Sequence, residues 1–198
     1  MKWNQHSNLT GSHALFGASQ YYWINYDIDK LQTVYRGKMA AAEGTKIHDF
    51  ASHCIKMREK LPTKRRTLNL FVNDAIAFNM QSELILYYSD NFYGTTDAIS
   101  FSKEGKKNKR PILRIHDLKT GETPAHMEQL LIYAALFCLE YRIVPGDIDF
   151  ELRIYQSDDI LIFNPTVEDI VPIIDKIVNF DKILKQIKEE EGDSNGYF

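Results

Sequence analysis

The spacing of apolar positions changes several times along the chain, and each change marks an element. Ile47, Phe50, Ala51, Cys54 and Ile55 recur at helical spacing and predict a helix over about Gly37 to Lys60. Pro62 interrupts it, and a second helix is expected from Lys64 to Met80. Glu83–Ser89 and Phe92–Phe101 are rich in β-branched and aromatic residues, so they read as two strands joined at Asp90-Asn91. A third strand, Pro111–Lys119, follows the basic loop KEGKKNKR. Thr123 as N-cap and Pro124 at the first helical position predict a long helix ending near Arg142, before Pro145-Gly146. In Ile148–Gln156 apolar residues alternate with polar ones and Tyr155, the pattern of a strand with one solvated face. Ile160–Asn164 is its hairpin partner, and an amphipathic helix covers Val167 to Lys188. The expected fold is α/β, a mixed central sheet flanked by helices. It forms a single domain over all 198 residues, with Glu189–Phe198 expected as a disordered tail.

Composition narrows the function classes. Hydrophobic residues at 44% and charged residues at 26% describe a globular chain with a sizeable core. No apolar run reaches the roughly 20 residues that span a bilayer, and MKWNQHSNLT lacks a secretion signal's apolar centre. A cytoplasmic location, without a membrane partner, is the expectation. Two cysteines, Cys54 and Cys138, are too few for a four-cysteine zinc or iron–sulfur site and are expected as free, buried thiols. The net charge of −3 does not itself point to nucleic acid. Its distribution does: Lys64, Arg65 and Arg66 form one basic run, and Lys106, Lys107, Lys109 and Arg110 form another.

The candidate chemistry lies in Pro111–Gly121, PILRIHDLKTG. In a strand, Leu113, Ile115, Asp117 and Lys119 share one face, so a carboxylate and an amine leave the core side together. Charges there are costly unless paired or bound. A structural Asp–Lys ion pair is the plain explanation. Asp97 stands in a neighbouring strand of apolar and small residues, where Asp is disfavoured. Two carboxylates at adjacent strand ends can hold one or two Mg²⁺ or Mn²⁺ ions, and with Lys119 alongside they suit phosphodiester hydrolysis.

Gly94-Thr95-Thr96-Asp97, Asp117-Leu118-Lys119-Thr120-Gly121 and Gln129 with Tyr133 together resemble the RecB-like branch of the PD-(D/E)XK nucleases. Gly44-Thr45-Lys46-Ile47-His48 resembles that branch's G-x-x-x-H helix motif, and the sequence as a whole, Ser12–Asp27 included, is similar to small phage-encoded exonucleases. The resemblance implies metal ligation by His48, Asp97, Asp117 and the Leu118 carbonyl. It implies catalysis by Lys119 and substrate or site-ordering roles for Gln129 and Tyr133. It also implies a DNA substrate, a bacterial host cytoplasm, and a recombination or single-strand annealing protein as partner. Thr96 stands where the family name has proline, and the cysteine-held cluster of some members is absent. No G-x-x-x-x-G-K-[ST] phosphate loop is present, so the chain has no helicase motor of its own.

Three readings follow: an exonuclease acting on DNA ends in phage recombination or replication; a structure-selective endonuclease or nickase using the same site; and a nucleic-acid-binding or recombination partner on an inactive scaffold. In the first, the basic runs bind backbone phosphates without reading sequence. Oligomeric state leaves no signature in the sequence.

Overall fold

The structure is a computed structural model that describes residues 13–64, 66–102, 110–121 and 123–194, apart from the side chains of 192–194. The chain divides into two compact units, residues 1–46 and 47–198. In the first, a 3-10 segment, Ala18–Asn25, precedes the opening turns of helix α1, Ile28–Met57. Lys38 Nζ donates to the Leu15 carbonyl at 2.6 Å and to Gln20 Oε1 at 3.1 Å. The helix begins nine residues before the expected Gly37 because Asp27 caps it, its Oδ1 accepting the Lys30 N–H at 2.7 Å.

The second unit carries the sheet. The end of α1 leads into α2, Thr67–Ala77, then β1, Gln81–Ser89, β2, Phe92–Ser102, and β3, Ile112–Leu118. Helix α3, Glu128–Tyr141, a single 3-10 turn at Pro145–Asp147, β4, Asp149–Gln156, β5, Asp159–Phe163, and α4, Val167–Ser194, complete it. The strands lie in the order β1-β2-β3-β4-β5, antiparallel except for the β3–β4 pair. The parallel pair follows from α3, which carries the chain back between them as a crossover. The expected α/β mixed sheet with flanking helices is therefore the observed fold.

Two apolar cores cover the two faces. Ile99, Leu113, Ile115, Leu152 and Ile154 pack with Leu130, Ala134 and Phe137 of α3 and Ile170 and Ile177 of α4. On the other face Ala98, Leu118 and Tyr155 pack with Ala51, Cys54 and Ile55 of α1 and Phe71, Val72 and Ala75 of α2. Both cysteines are free and buried, as expected. Among the described residues no helix is long and apolar enough to cross a membrane.

Three further local expectations are corrected. Helix α3 starts at Glu128, not at Thr123, and Pro124 lies outside it. The Gln156 side chain pins the preceding segment, donating to the Gly121 and Thr123 carbonyls at 2.6 and 2.8 Å and accepting the Ala125 N–H at 3.2 Å. A contact from a distant strand thus overrides a good local capping signal. The second face of β4 is also not solvated. Tyr155 is fully buried, and Arg153 reaches Asp74 of α2 at 2.9 Å, so α2 covers that face through a polar network. At the C-terminus α4 runs past Lys188 to Ser194, and residues 195–198 of the expected tail lie outside the described residues.

Candidate metal centre

Strand alternation puts Asp117 on the face of Leu113 and Ile115, and the core membership of those two residues identifies it as the α3 face. Extending the β2–β3 register by one pair beyond Ala98↔His116 sets Asp97 directly opposite Asp117. The β1–β2 register, Ser82↔Ala98 and Leu84↔Thr96, sets Glu83 opposite Asp97. Glu83, Asp97 and Asp117 therefore form a row of carboxylates across three adjacent strands, whose neighbours lie about 4.8 Å apart.

His48, on α1 one turn after Gly44, joins this row. Its Nδ1 is 3.4 Å from Asp97 Oδ2, which also accepts the Leu118 N–H at 2.8 Å. A hydrogen bond from the imidazole to the Asp97 carboxylate raises the His48 pKa above its ordinary value, against the lowering effect of burial. One ligand atom from each of His48, Glu83 and Asp97 lies within 4.8 Å of the others. Glu83 was not among the residues singled out from the sequence. It has a left-handed backbone, φ 54°, uncommon for a residue with a Cβ. Burial raises its pKa first, and the Asp97 charge adds to that.

Asp117 is almost completely enclosed. Burial, and then the Asp97 charge, push its pKa up to about 6, while Lys119 pulls it down. Lys119 Nζ lies 2.9 Å from Asp117 Oδ2 and donates a hydrogen bond to Oδ1 at 3.2 Å. Oδ2 is buried, and the Lys119 ammonium at 2.9 Å is its counter-charge. Lys119 also donates to Gln129 Oε1 at 2.8 Å, Gln129 Nε2 donates to Tyr133 OH at 3.1 Å, and Tyr133 OH donates to the Thr95 carbonyl at 2.7 Å. A continuous chain of polar contacts thus links β3, α3 and β2. Gly94 makes room for it, since a Cβ there would stand 2.8 Å from Tyr133 Cε1.

The structure thus brings His48, Asp97, Asp117, Lys119, Gln129 and Tyr133 into one neighbourhood and adds Glu83. The Leu118 side chain is in the core, and its N–H goes to Asp97. The basic residues are placed differently. Lys64 and Arg66 are exposed in the connection before α2. Arg110 precedes β3, 3.8 Å from Asp149. It is seven residues from Asp117, about 23 Å at the rise of a strand. Arg65, Lys106, Lys107 and Lys109 lie outside the described residues.

No family model, curated protein or solved structure matches this chain.

Proposed function

We propose that this protein is a metal-dependent DNA nuclease acting as an exonuclease on DNA ends. The observation that carries the reading is the meeting of Asp97, midway along β2, with Asp117 and Lys119 at the end of β3, beside His48 and Glu83. The donor set suits a divalent cation: carboxylate oxygens and an imidazole nitrogen, with one ligand atom each of His48, Glu83 and Asp97 within 4.8 Å of the others. His48, Asp97, Asp117 and the Leu118 carbonyl would hold Mg²⁺ or Mn²⁺. A divalent cation bound there supplies Lewis-acid stabilisation of the charge growing on the phosphoryl oxygens.

The chain's own groups do the rest. Gln129 and Asp117 aim the Lys119 ammonium, and Tyr133 anchors Gln129 to β2 through the Thr95 carbonyl. An ammonium fixed in this way can position the attacking water or stabilise charge in the transition state. Lys64, Arg65, Arg66, Lys106, Lys107, Lys109 and Arg110 are proposed to hold backbone phosphates, and a recombination protein is the proposed partner.

The test incubates the purified protein with end-labelled linear duplex and with covalently closed circular DNA, in Mg²⁺, Mn²⁺ or EDTA. Metal-dependent loss of the linear DNA alone, absent in Lys119→Ala, is expected. Cutting of the circle would reassign the protein as an endonuclease. No cleavage of either substrate would overturn the nuclease reading and favour a binding scaffold.

A further inference from the structure

The three carboxylate residues of the centre stand in a row across the sheet. Glu83, Asp97 and Asp117 stand abreast on β1, β2 and β3, with Asp97 in the middle. His48 approaches Asp97, and its ligand atom groups with those of Glu83 and Asp97 but not with Asp117. Asp117 instead has Lys119 at 2.9 Å as its counter-charge. The carboxylates of Glu83 and Asp97 lie close enough to repel, and no lysine or arginine ion pair with either occurs among the described residues. Asp117, on the other side of Asp97, is buried and held against the Lys119 ammonium, so its charge is already met.

We propose that Glu83 is a cation ligand, and that His48, Glu83 and Asp97 form a cation-capture position that does not need Asp117, so that capture depends on Glu83 and cleavage on Asp117. The inference rests on the nuclease reading only for what the captured cation serves. One imidazole and two carboxylates, with room left for water, suit Mn²⁺ better than Mg²⁺, which favours all-oxygen surroundings. His48 and Asp97 are shared with the ligand set that includes Asp117. A cation held by Glu83 and His48 would draw on Asp97 from one side, while Asp117 and Lys119 face it from the other. Removing Glu83 should therefore weaken capture, and removing Asp117 should spare it.

The test titrates Mn²⁺ into the metal-stripped full-length protein, following free Mn²⁺ by electron paramagnetic resonance. Wild type, Glu83→Gln and Asp117→Asn are compared, with folding checked by circular dichroism. Glu83→Asn serves as a second variant because Asn tolerates the left-handed backbone better than most residues. Both Glu83 variants are expected to bind the first Mn²⁺ about tenfold more weakly or worse, since even loss of groups that only support metal ligands weakens sites by about that factor. Asp117→Asn should keep the first binding event. Wild-type affinity in a folded Glu83 variant, loss of the first Mn²⁺ in Asp117→Asn, or no Mn²⁺ binding by wild type would each overturn the proposal. DNA cleavage measured on the same samples separates the two ideas. A wild type that captures Mn²⁺ through Glu83 but leaves DNA intact overturns the nuclease reading alone. One that cleaves DNA while Glu83 proves irrelevant to capture overturns this proposal alone.

Discussion

Replacing Asp117 by asparagine should make the protein's stability depend differently on pH, in a direction opposite to that of most carboxylates. In the folded chain burial raises the Asp117 pKa from 3.8 to about 6. The unfolded chain ionises it at the ordinary value. Below pH 3.8 the group is protonated in both states and contributes no difference. Between 3.8 and about 6 the folded state binds more protons, so stability falls as pH rises. Above 6 both states are ionised and the full cost is present, about 3 kcal/mol at about 1.4 kcal/mol per pH unit. Little of this is relieved by solvent, because the side chain is only 4% exposed. Asparagine cannot ionise, so the variant escapes the cost. A buried amide left unpaired would add its own penalty of about 1–3 kcal/mol, but that penalty does not change with pH. The informative quantity is therefore the variant-minus-wild-type difference in unfolding free energy, measured by urea titration in EDTA from pH 4 to pH 8. It should rise by about 2.5 kcal/mol across that range, since part of the cost is already present at pH 4. A difference that stays flat, or falls as pH rises, would refute the account of Asp117 as a carboxylate held against its preference for water.

Further tests probe the supports around the centre. Gly94→Ala should push Tyr133 from its 2.8 Å clash by nearly an ångström and cost about 1–3 kcal/mol by overpacking. The cost should largely vanish when Tyr133→Ala is combined with it, and equal costs in both backgrounds would contradict the steric argument. His116 is wholly buried with an unpaired Nε2, and burial, helped by Arg153 and Arg114, pushes its pKa down to about 3. Its unfolded form takes up a proton near 6.5 while the folded form resists until about 3. Wild type should therefore lose up to about 5 kcal/mol from this group as pH falls through that window. His116→Gln should remove that part of the acid sensitivity, and an unchanged pH profile in the urea midpoint would contradict it.

Much of the molecule is legible in its sequence. Strand and helix periods depend on local side-chain spacing, so the element order, the mixed sheet and the shared face of Leu113, Ile115 and Asp117 could be read from residue types alone. The proximity of Asp97 to Asp117 followed from adjacent strands. What local spacing could not supply was register. A tight hairpin at Asp90-Asn91 pairs Ser89 with Phe92, and continued without interruption it would set Glu83 opposite Ala98. The register shifts between Tyr87 and Ser89, a one-residue bulge that moves Glu83 opposite Asp97 and completes the row of carboxylates. Likewise the start of α3 was decided by Gln156, and the cover over β4 by Asp74 and the rest of α2. Each of these depends on groups far apart in the chain, whose pairing energies only the assembled sheet and helices bring to bear. The sequence alone determined which residues could carry chemistry, and the tertiary structure decided which of them stand side by side.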